Sequence, residues 1–142
     1  MQLKDIMGKH PEHLSPTATL TEACRRMLEH DYGFLPIEEN NRLVGVVTDR
    51  DIAVRGIAKG LDSNAQLKQV MTKDVITAHE EDDLLTAAKI MEEKQIRRLV
   101  VLNKSDEIAG VVSLGDIATK CDELDLCGEI IRAVSKKNTA EK

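Results

Sequence analysis

Two seven-residue stretches combine a glycine, a hydroxyl side chain and a carboxylate at the same spacing. They read GVVTDRD, from Gly45 to Asp51, and GVVSLGD, from Gly110 to Asp116. A hydroxyl residue at the junction of a strand and a helix can donate to a phosphate, which the free N–H groups and the dipole of the helix also favour. The aspartate, one helical turn further on, can accept hydrogen bonds from a vicinal diol. A ribonucleotide contains both a phosphate and a vicinal diol, so the pattern favours a ribonucleotide ligand.

The pattern gives three pairs of positions a candidate role. Gly45 and Gly110 are candidates for close backbone approach. Thr48 and Ser113 are candidates for phosphate binding, and Asp51 and Asp116 for ribose binding. The same pattern is also that of an ordinary helix N-cap followed by an acid that the helix dipole favours. Both interpretations stay open, and the duplication favours a ligand.

The repetition extends over nearly the whole chain. LKDIM at 3–7 matches LKQVM at 67–71, and LTEACRRMLEHD matches LLTAAKIMEEKQ. Each copy predicts a short apolar turn, a brief strand around Leu14 or Ala78, an amphipathic helix, two strands joined by a polar turn, and a further helix at the motif. Gly128 is expected to interrupt the last helical stretch, and SKKNTAEK at the C-terminus is expected to fray.

The repeat predicts a division of the 142 residues. Residues 1–59 are the first copy, 60–66 a linker, 67–121 the second copy, and 122–142 a C-terminal helix and tail. The linker prediction rests on the polar, glycine-containing stretch KGLDSNAQ. The length suffices for one compact domain or for two small units that share a core.

Composition excludes several classes of function. With 42% hydrophobic and 32% charged residues, the chain is typical of a folded globular protein. One tyrosine, one phenylalanine and no tryptophan cannot build a stacking platform, and a net charge of -5 disfavours a phosphate backbone, so we expect no nucleic-acid partner. No apolar run approaches the roughly 20 residues that cross a bilayer, so we expect no membrane partner and a cytoplasmic location.

Neither a metal site nor a catalytic residue is expected. The three cysteines, Cys24, Cys121 and Cys127, contain no CxxC pair and fit reduced thiols. There is no Ser/His/Asp order, no glycine-rich loop followed by lysine, and no paired carboxylates in an apolar setting. We therefore expect no enzyme activity and no required cofactor.

The motifs GVVTDRDIA and GVVSLGDIA, each preceded by a helix and by FLPI or RRLVV, resemble paired cystathionine-β-synthase (CBS) domains over residues 3–120. The resemblance implies an α+β fold in which each copy is a small three-stranded sheet with helices, packed about a pseudo-twofold axis. It also implies a homodimer and an adenine-nucleotide ligand of the AMP, ADP or ATP type. Asp51 and Asp116 would hold the ribose, Thr48 and Ser113 the phosphate, and the backbone near Leu14 or Ala78 the adenine.

Basic side chains are distributed unequally between the copies. Arg97 and Arg98 stand where proteins of this kind place basic residues against phosphates, whereas the first copy has Gly33 and Phe34 there and carries Arg50 inside its motif. We interpret Arg50, Arg97 and Arg98 as phosphate ligands. The alternative for the last two is a solvated strand edge.

The leading hypothesis is a regulatory or sensor module for an adenosyl ligand, without catalytic activity, which acts through its homodimer or an unidentified effector protein. The alternative is a structural or protein-interaction CBS module that binds no ligand. A nucleotide hydrolase is disfavoured because the sequence offers neither a general base nor metal ligands.

Overall fold

The computed structural model describes residues 1–136, which belong to two compact units. The first-motif unit is Pro11–Val75, and the second-motif unit consists of Met1–His10 and Ile76–Lys142. Most of the segment expected to fray, residues 137–142, lies outside the described residues.

In chain order, the elements are α1 (Leu3–Ile6), β1 (Gly8–Lys9), α2 (Leu20–His30), β2 (Phe34–Glu39), β3 (Arg42–Thr48), α3 (Asp49–Asp51), β4 (Thr77–His79), α4 (Leu84–Lys94), β5 (Arg98–Leu102), β6 (Ile108–Ser113), α5 (Leu114–Lys120) and α6 (Leu124–Ser135). The helical path of α3 continues as a π-helical turn over Ile52–Gly56 and a 3₁₀ turn over Ile57–Lys59, and a separate 3₁₀ turn covers Leu67–Gln69.

The compact units and the sequence repeat differ at their edges. The N-terminal segment of each copy, residues 1–10 or 67–75, lies in the unit that carries the motif of the other copy. The predicted division into 1–59, 60–66, 67–121 and 122–142 follows the sequence repeat. The compact units differ from it because each of these two short segments packs with the other copy, and we call them the exchanged segments.

The second-motif unit contains a four-stranded sheet in the order β1-β6-β5-β4. β4 lies parallel to β5, and the other neighbours are antiparallel. The three strands expected of the second copy are therefore present, and β1 adds a fourth. The α+β class is confirmed.

The first-motif unit is built on the antiparallel hairpin of β2 and β3. Asn40 and Asn41 form its turn with φ angles of 53° and 63°, as a two-residue turn of type I′ requires. Single bridges join Leu14 to Ile37 and Thr72 to Val46. The strand predicted near Leu14 is thus one bridge, whereas its counterpart near Ala78 is the strand β4.

The expectation that Gly128 interrupts the C-terminal helix is wrong. α6 runs through Gly128, and the break lies between Lys120 and Leu124, where Cys121 and Glu123 adopt extended backbone angles. An added Cβ at Gly128 would meet no heavy atom within 4 Å, so the glycine lies on an open helix surface where no turn requires it.

The expectation of reduced thiols is wrong for two of the three cysteines. Cys121 and Cys127 form a disulfide, with a distance of 6.3 Å between their Cα atoms, and Cys24 is free and exposed. The reversal of the chain between α5 and α6 brings the pair together. A sequence separation alone does not show that reversal.

A buried hydroxyl without a partner lies near the end of α2. Among the described residues, the Tyr32 hydroxyl is buried without a hydrogen-bond partner, and its ring stacks on His30 at a centroid distance of 5.7 Å. Burial, and secondly the negative charge of Glu12, raise the Tyr32 pKa above its ordinary value of 10.0, while Arg26 opposes the shift. A buried polar group that lacks a partner lowers the stability of the fold.

We predict that Tyr32→Phe raises the free energy of unfolding by about 1 kcal/mol at neutral pH, because it removes this hydroxyl. The advantage should grow as the pH rises above 10.0, because the unfolded wild-type chain then loses a proton that the folded chain retains. Urea unfolding at neutral and alkaline pH measures both effects. Tyr32 is the only tyrosine, so phenolate absorbance follows it alone. A variant less stable than the wild type at both pH values would contradict the prediction.

Candidate functional site

Each motif ends in a reciprocal pair of hydrogen bonds. The Asp51 N–H donates to Thr48 Oγ1 at 3.0 Å, and the Thr48 N–H donates to Asp51 Oδ2 at 2.9 Å. Ser113 and Asp116 repeat the pair at 3.0 and 2.9 Å. The N-cap interpretation is therefore confirmed at both motifs, and each carboxylate keeps one oxygen outside the cap.

A basic side chain lies beside that second oxygen in both units. Arg55 Nε lies 3.8 Å from Asp51 Oδ1, and Lys120 Nζ lies 3.5 Å from Asp116 Oδ1. The carboxylate side chains are mostly buried, at 18% and 25% exposure. Each acid is therefore oriented by its cap and faces a cation four residues further along the chain.

The same cations also contact the exchanged segments. Lys120 Nζ donates to the Ile6 carbonyl at 3.0 Å, and Arg55 Nη1 donates to the Val70 carbonyl at 3.3 Å. Sequence reasoning missed both residues, although the spacing of acid and base in DIAVR and DIATK was visible. We call the three groups, carboxylate, cation and carbonyl, the clasp of each motif.

Each motif glycine leaves space for a neighbouring backbone segment of the same unit. A Cβ at Gly110 would lie 2.6 Å from both the Gly8 carbonyl oxygen and Met7 Sδ. A Cβ at Gly45 would lie 2.7 Å from Met71 Sδ and 3.0 Å from the Thr72 oxygen. The backbone that approaches each glycine in the structure is the exchanged segment.

The arginines of the second motif line an open pocket. Its volume is about 430 Å³, and its walls are Arg97, Arg98, Ser113, Leu114, Gly115, Ala118 and Ile131. The structure therefore brings three predicted phosphate ligands, Arg97, Arg98 and Ser113, to one pocket. Asp116 is not part of its lining. We call it the arginine pocket.

The first motif has a different charge at the equivalent place. The Asp49 N–H donates to the Gly33 carbonyl at 3.0 Å, as the Leu114 N–H donates to the Arg97 carbonyl at 2.9 Å. A Cβ at Gly33 would lie 2.6 Å from the Asp49 carboxylate. An acid thus fills the space that a side chain at position 33 would need, and Arg50 is exposed beside it.

The two predicted adenine positions are buried, Leu14 in a single bridge to β2 and Ala78 in β4. The Leu14 N–H donates to the Pro36 carbonyl at 3.2 Å, and the Leu14 carbonyl accepts from the Glu38 N–H at 2.9 Å. Ala78 lies in the middle of β4, opposite Val101. The Leu14 N–H therefore already has a partner within its own unit.

Residues 1–136 contain neither a cluster of metal ligands nor a membrane-spanning helix. No group of three or more histidine, cysteine, aspartate or glutamate side chains there could hold a metal ion. Over the same range, no helix is long and apolar enough to span a membrane.

Comparison with known proteins matches the duplicated motif to one family. The family model described as CBS domain matches residues 3–55 and again 67–123. The chain belongs to the CBS domain family. The CBS domain-containing protein YhcV of Bacillus subtilis is 32% identical over 136 residues, which is 96% of this chain and 96% of YhcV.

Two solved structures show the same fold. The CBS domain pair of protein MJ0100, in complex with 5′-methylthioadenosine and S-adenosyl-L-methionine, has a TM-score of 0.75 at 30% identity and covers 83% of this chain and 93% of that one. Hypoxic Response Protein I with two coordinated zinc ions has a TM-score of 0.77 at 34% identity, covering 84% and 98%. The chain is therefore a CBS pair, and its duplicated motifs are the GVV segments of the two CBS copies.

We predict that Gly110→Ala lowers the free energy of unfolding of this CBS pair by about 1–3 kcal/mol, because the Gly8 backbone must move away from the new methyl group. Gly128→Ala is the matched control. Its methyl group enters open space within a helix and should stabilise the fold by about 0.5–1 kcal/mol. Urea unfolding of both variants measures the difference, and a Gly110→Ala protein as stable as the wild type would contradict the prediction.

Proposed function

We propose that this CBS pair is a regulatory module that binds an adenosyl compound at its motifs and has no catalytic activity of its own. The observation that carries the proposal is the second carboxylate oxygen of Asp51 and of Asp116. It lies outside the helix cap and beside a cation in both units. The adenosyl ligands of the related MJ0100 pair support the same class of ligand.

A vicinal diol can use this oxygen without breaking the cap. Oδ2 of each aspartate accepts from the N-cap backbone, so that bond keeps the carboxylate in position. Two ribose hydroxyls donate to Oδ1 and take the place of the Arg55 or Lys120 contact, which is long at 3.8 or 3.5 Å. The released cation keeps its carbonyl partner on the exchanged segment.

Charge favours different ligands at the two motifs. Arg97, Arg98 and Ser113 of the arginine pocket suit a phosphorylated nucleotide such as AMP, ADP or ATP. Asp49 disfavours a phosphate at the first motif, although Arg50 lies next to it, so we assign an uncharged or cationic adenosyl compound there. The assignment of adenine to the backbone near Leu14 and Ala78 remains a proposal, as does the cytoplasmic location.

Transmission of the signal needs a partner. Leu28 on α2 and Leu124 on α6 are each 83% exposed, which leaves apolar surface for a second copy of the chain or for an effector protein. We propose a homodimer with a twofold axis. Light scattering would report twice the mass of the chain.

The completed helix caps favour a second candidate function, a structural or protein-interaction module without a ligand. In that case Thr48, Ser113 and the two aspartates serve α3 and α5 alone. Calorimetric titration with adenosine, AMP, ATP and S-adenosylmethionine distinguishes the two candidates, because only the first predicts saturable heat.

We predict that Asp51→Asn and Asp116→Asn together weaken adenosyl binding by about 1–3 kcal/mol, because an amide nitrogen at Oδ1 cannot accept from the diol. The remaining amide oxygen can still accept the cap bond, so the melting temperature should change little. Asp125→Asn, an exposed position on α6, is the control for loss of one carboxylate charge. Affinity unchanged in a folded double variant would rule out the ribose assignment.

A separate prediction concerns the arginine pocket. Arg97→Gln with Arg98→Gln should weaken binding by an amount that grows from adenosine to AMP to ATP, because only the phosphates meet these side chains. Both arginines are exposed, so we expect about 1 kcal/mol for ATP. Lys94→Gln with Lys104→Gln removes two exposed positive charges outside the pocket and is the matched control. Equal losses for adenosine and ATP would assign Arg97 and Arg98 to a solvated strand edge.

A further inference from the structure

The disulfide joins the two C-terminal helices where the chain turns between them. Cys121 is the C-cap residue of α5, and Cys127 lies in the first turns of α6 with 3% exposure. Asp122, Glu123 and Asp125 of the connecting segment are exposed, and Leu124 is 83% exposed. The covalent bond therefore fixes the beginning of α6, where Leu126 also packs against the core and the preceding residues are exposed.

The rest of α6 is held by one narrow apolar stripe. Ile130 and Val134 are 7% and 4% exposed and pack into the core of the second-motif unit. The N-cap residue Glu123 makes no side-chain cap hydrogen bond. Leu126, Ile130 and Val134 are a short apolar anchor for a twelve-residue helix, so the disulfide adds to the interactions that keep it docked.

The repeat folds in its first copy without a counterpart of α6. Cys24 on α2 occupies the position of Ala88 on α4 in the aligned repeats. Cys24 is exposed, whereas Ala88 is 7% exposed and shares a pocket of about 430 Å³ with Leu126 and Ile130 of α6. α6 therefore covers a face of α4 that the first-motif unit leaves bare on α2.

The position of α6 also shapes the arginine pocket. Ile131 of α6 lines this pocket together with Leu114, Gly115 and Ala118 of α5. These are the two helices that the disulfide joins. Movement of α6 removes one wall of the pocket and at the same time exposes α4.

We propose that Cys121 and Cys127 are a thiol–disulfide switch that controls the docking of α6. Reduction breaks the S–S bond, and a dithiol reductant supplies two electrons and two protons and is itself oxidised to a disulfide. Loss of so short a covalent loop shifts the equilibrium towards detached α6 by up to about fiftyfold. Detachment exposes the face of α4 at Ala88 and opens the arginine pocket at Ile131. Disulfides that act in reducing compartments are usually of this transient kind.

Hydrogen exchange of the full chain tests the switch directly. Backbone amides of α6 and of the covered face of α4 should exchange about tenfold or more faster after treatment with dithiothreitol than in the oxidised protein. Cys121→Ser should show the fast exchange without reductant, because it removes the disulfide and leaves the buried Cys127 in place. Cys24→Ser is the matched control and should keep the full response to reductant.

Three results would overturn the switch. They are equal exchange in the oxidised and reduced protein, a response that disappears in Cys24→Ser, and three alkylatable thiols after equilibration with oxidised glutathione. The oxidised protein should have one alkylatable thiol and the reduced protein three.

The effect on the arginine pocket rests on the proposed function, and its readout is separate. Calorimetry with ATP should show several-fold weaker binding to the reduced protein than to the oxidised protein. Absence of ATP binding in both redox states contradicts the proposed ligand, while the exchange result still decides the switch. Equal ATP affinity in both states contradicts the link between α6 and the pocket.

Discussion

The absence of a side chain at Gly45 and Gly110 is the constraint on which the arrangement of both units depends. Each glycine lies in the motif strand where the segment from the other half of the sequence crosses it, and a methyl group there would overlap that segment. The close approach lets β1 pair with β6 and Thr72 pair with Val46. It also brings the carbonyls of Ile6 and Val70 within reach of the clasp cations.

The clasp links the fold to the chemistry of the motif. One carboxylate oxygen caps a helix and the other attracts a cation, so each aspartate is oriented before any ligand arrives. Both hydrogen-bond partners of the cap lie within the motif, so the cap geometry does not depend on the exchanged segment. A ligand that replaced the cation at Oδ1 would break the contact between carboxylate and cation and leave the contact between cation and exchanged segment in place. Under the proposed function, occupancy of the motif would thereby be coupled to a segment from the other half of the chain.

Sequence reasoning identified what depends on neighbouring residues and missed what depends on distant ones. The hydroxyl–aspartate caps and the ends of β3 and β6 follow from local spacing, so the motif ends could be predicted. The exchange of residues 1–10 and 67–75 and the pairing of Cys121 with Cys127 depend on where the chain returns, which no local pattern encodes. The prediction of a helix break at Gly128 was wrong because a glycine on an exposed helix surface has the same sequence signature as a helix terminator.

The difference in charge between the two motifs involves two neighbouring positions in each unit, not one. Gly33 and Asp49 occupy one space, because a side chain at position 33 would meet the carboxylate of Asp49. The second copy has Arg97 and Leu114 at the equivalent positions, where the residue after the hydroxyl is apolar and both side chains line the arginine pocket. An arginine at position 33 would require the exposed Asp49 side chain to turn away, and loss of Asp49 alone would leave the first motif without a basic side chain at position 33. The unequal charge is therefore carried by a pair of neighbouring positions in each unit, Gly33 with Asp49 and Arg97 with Leu114.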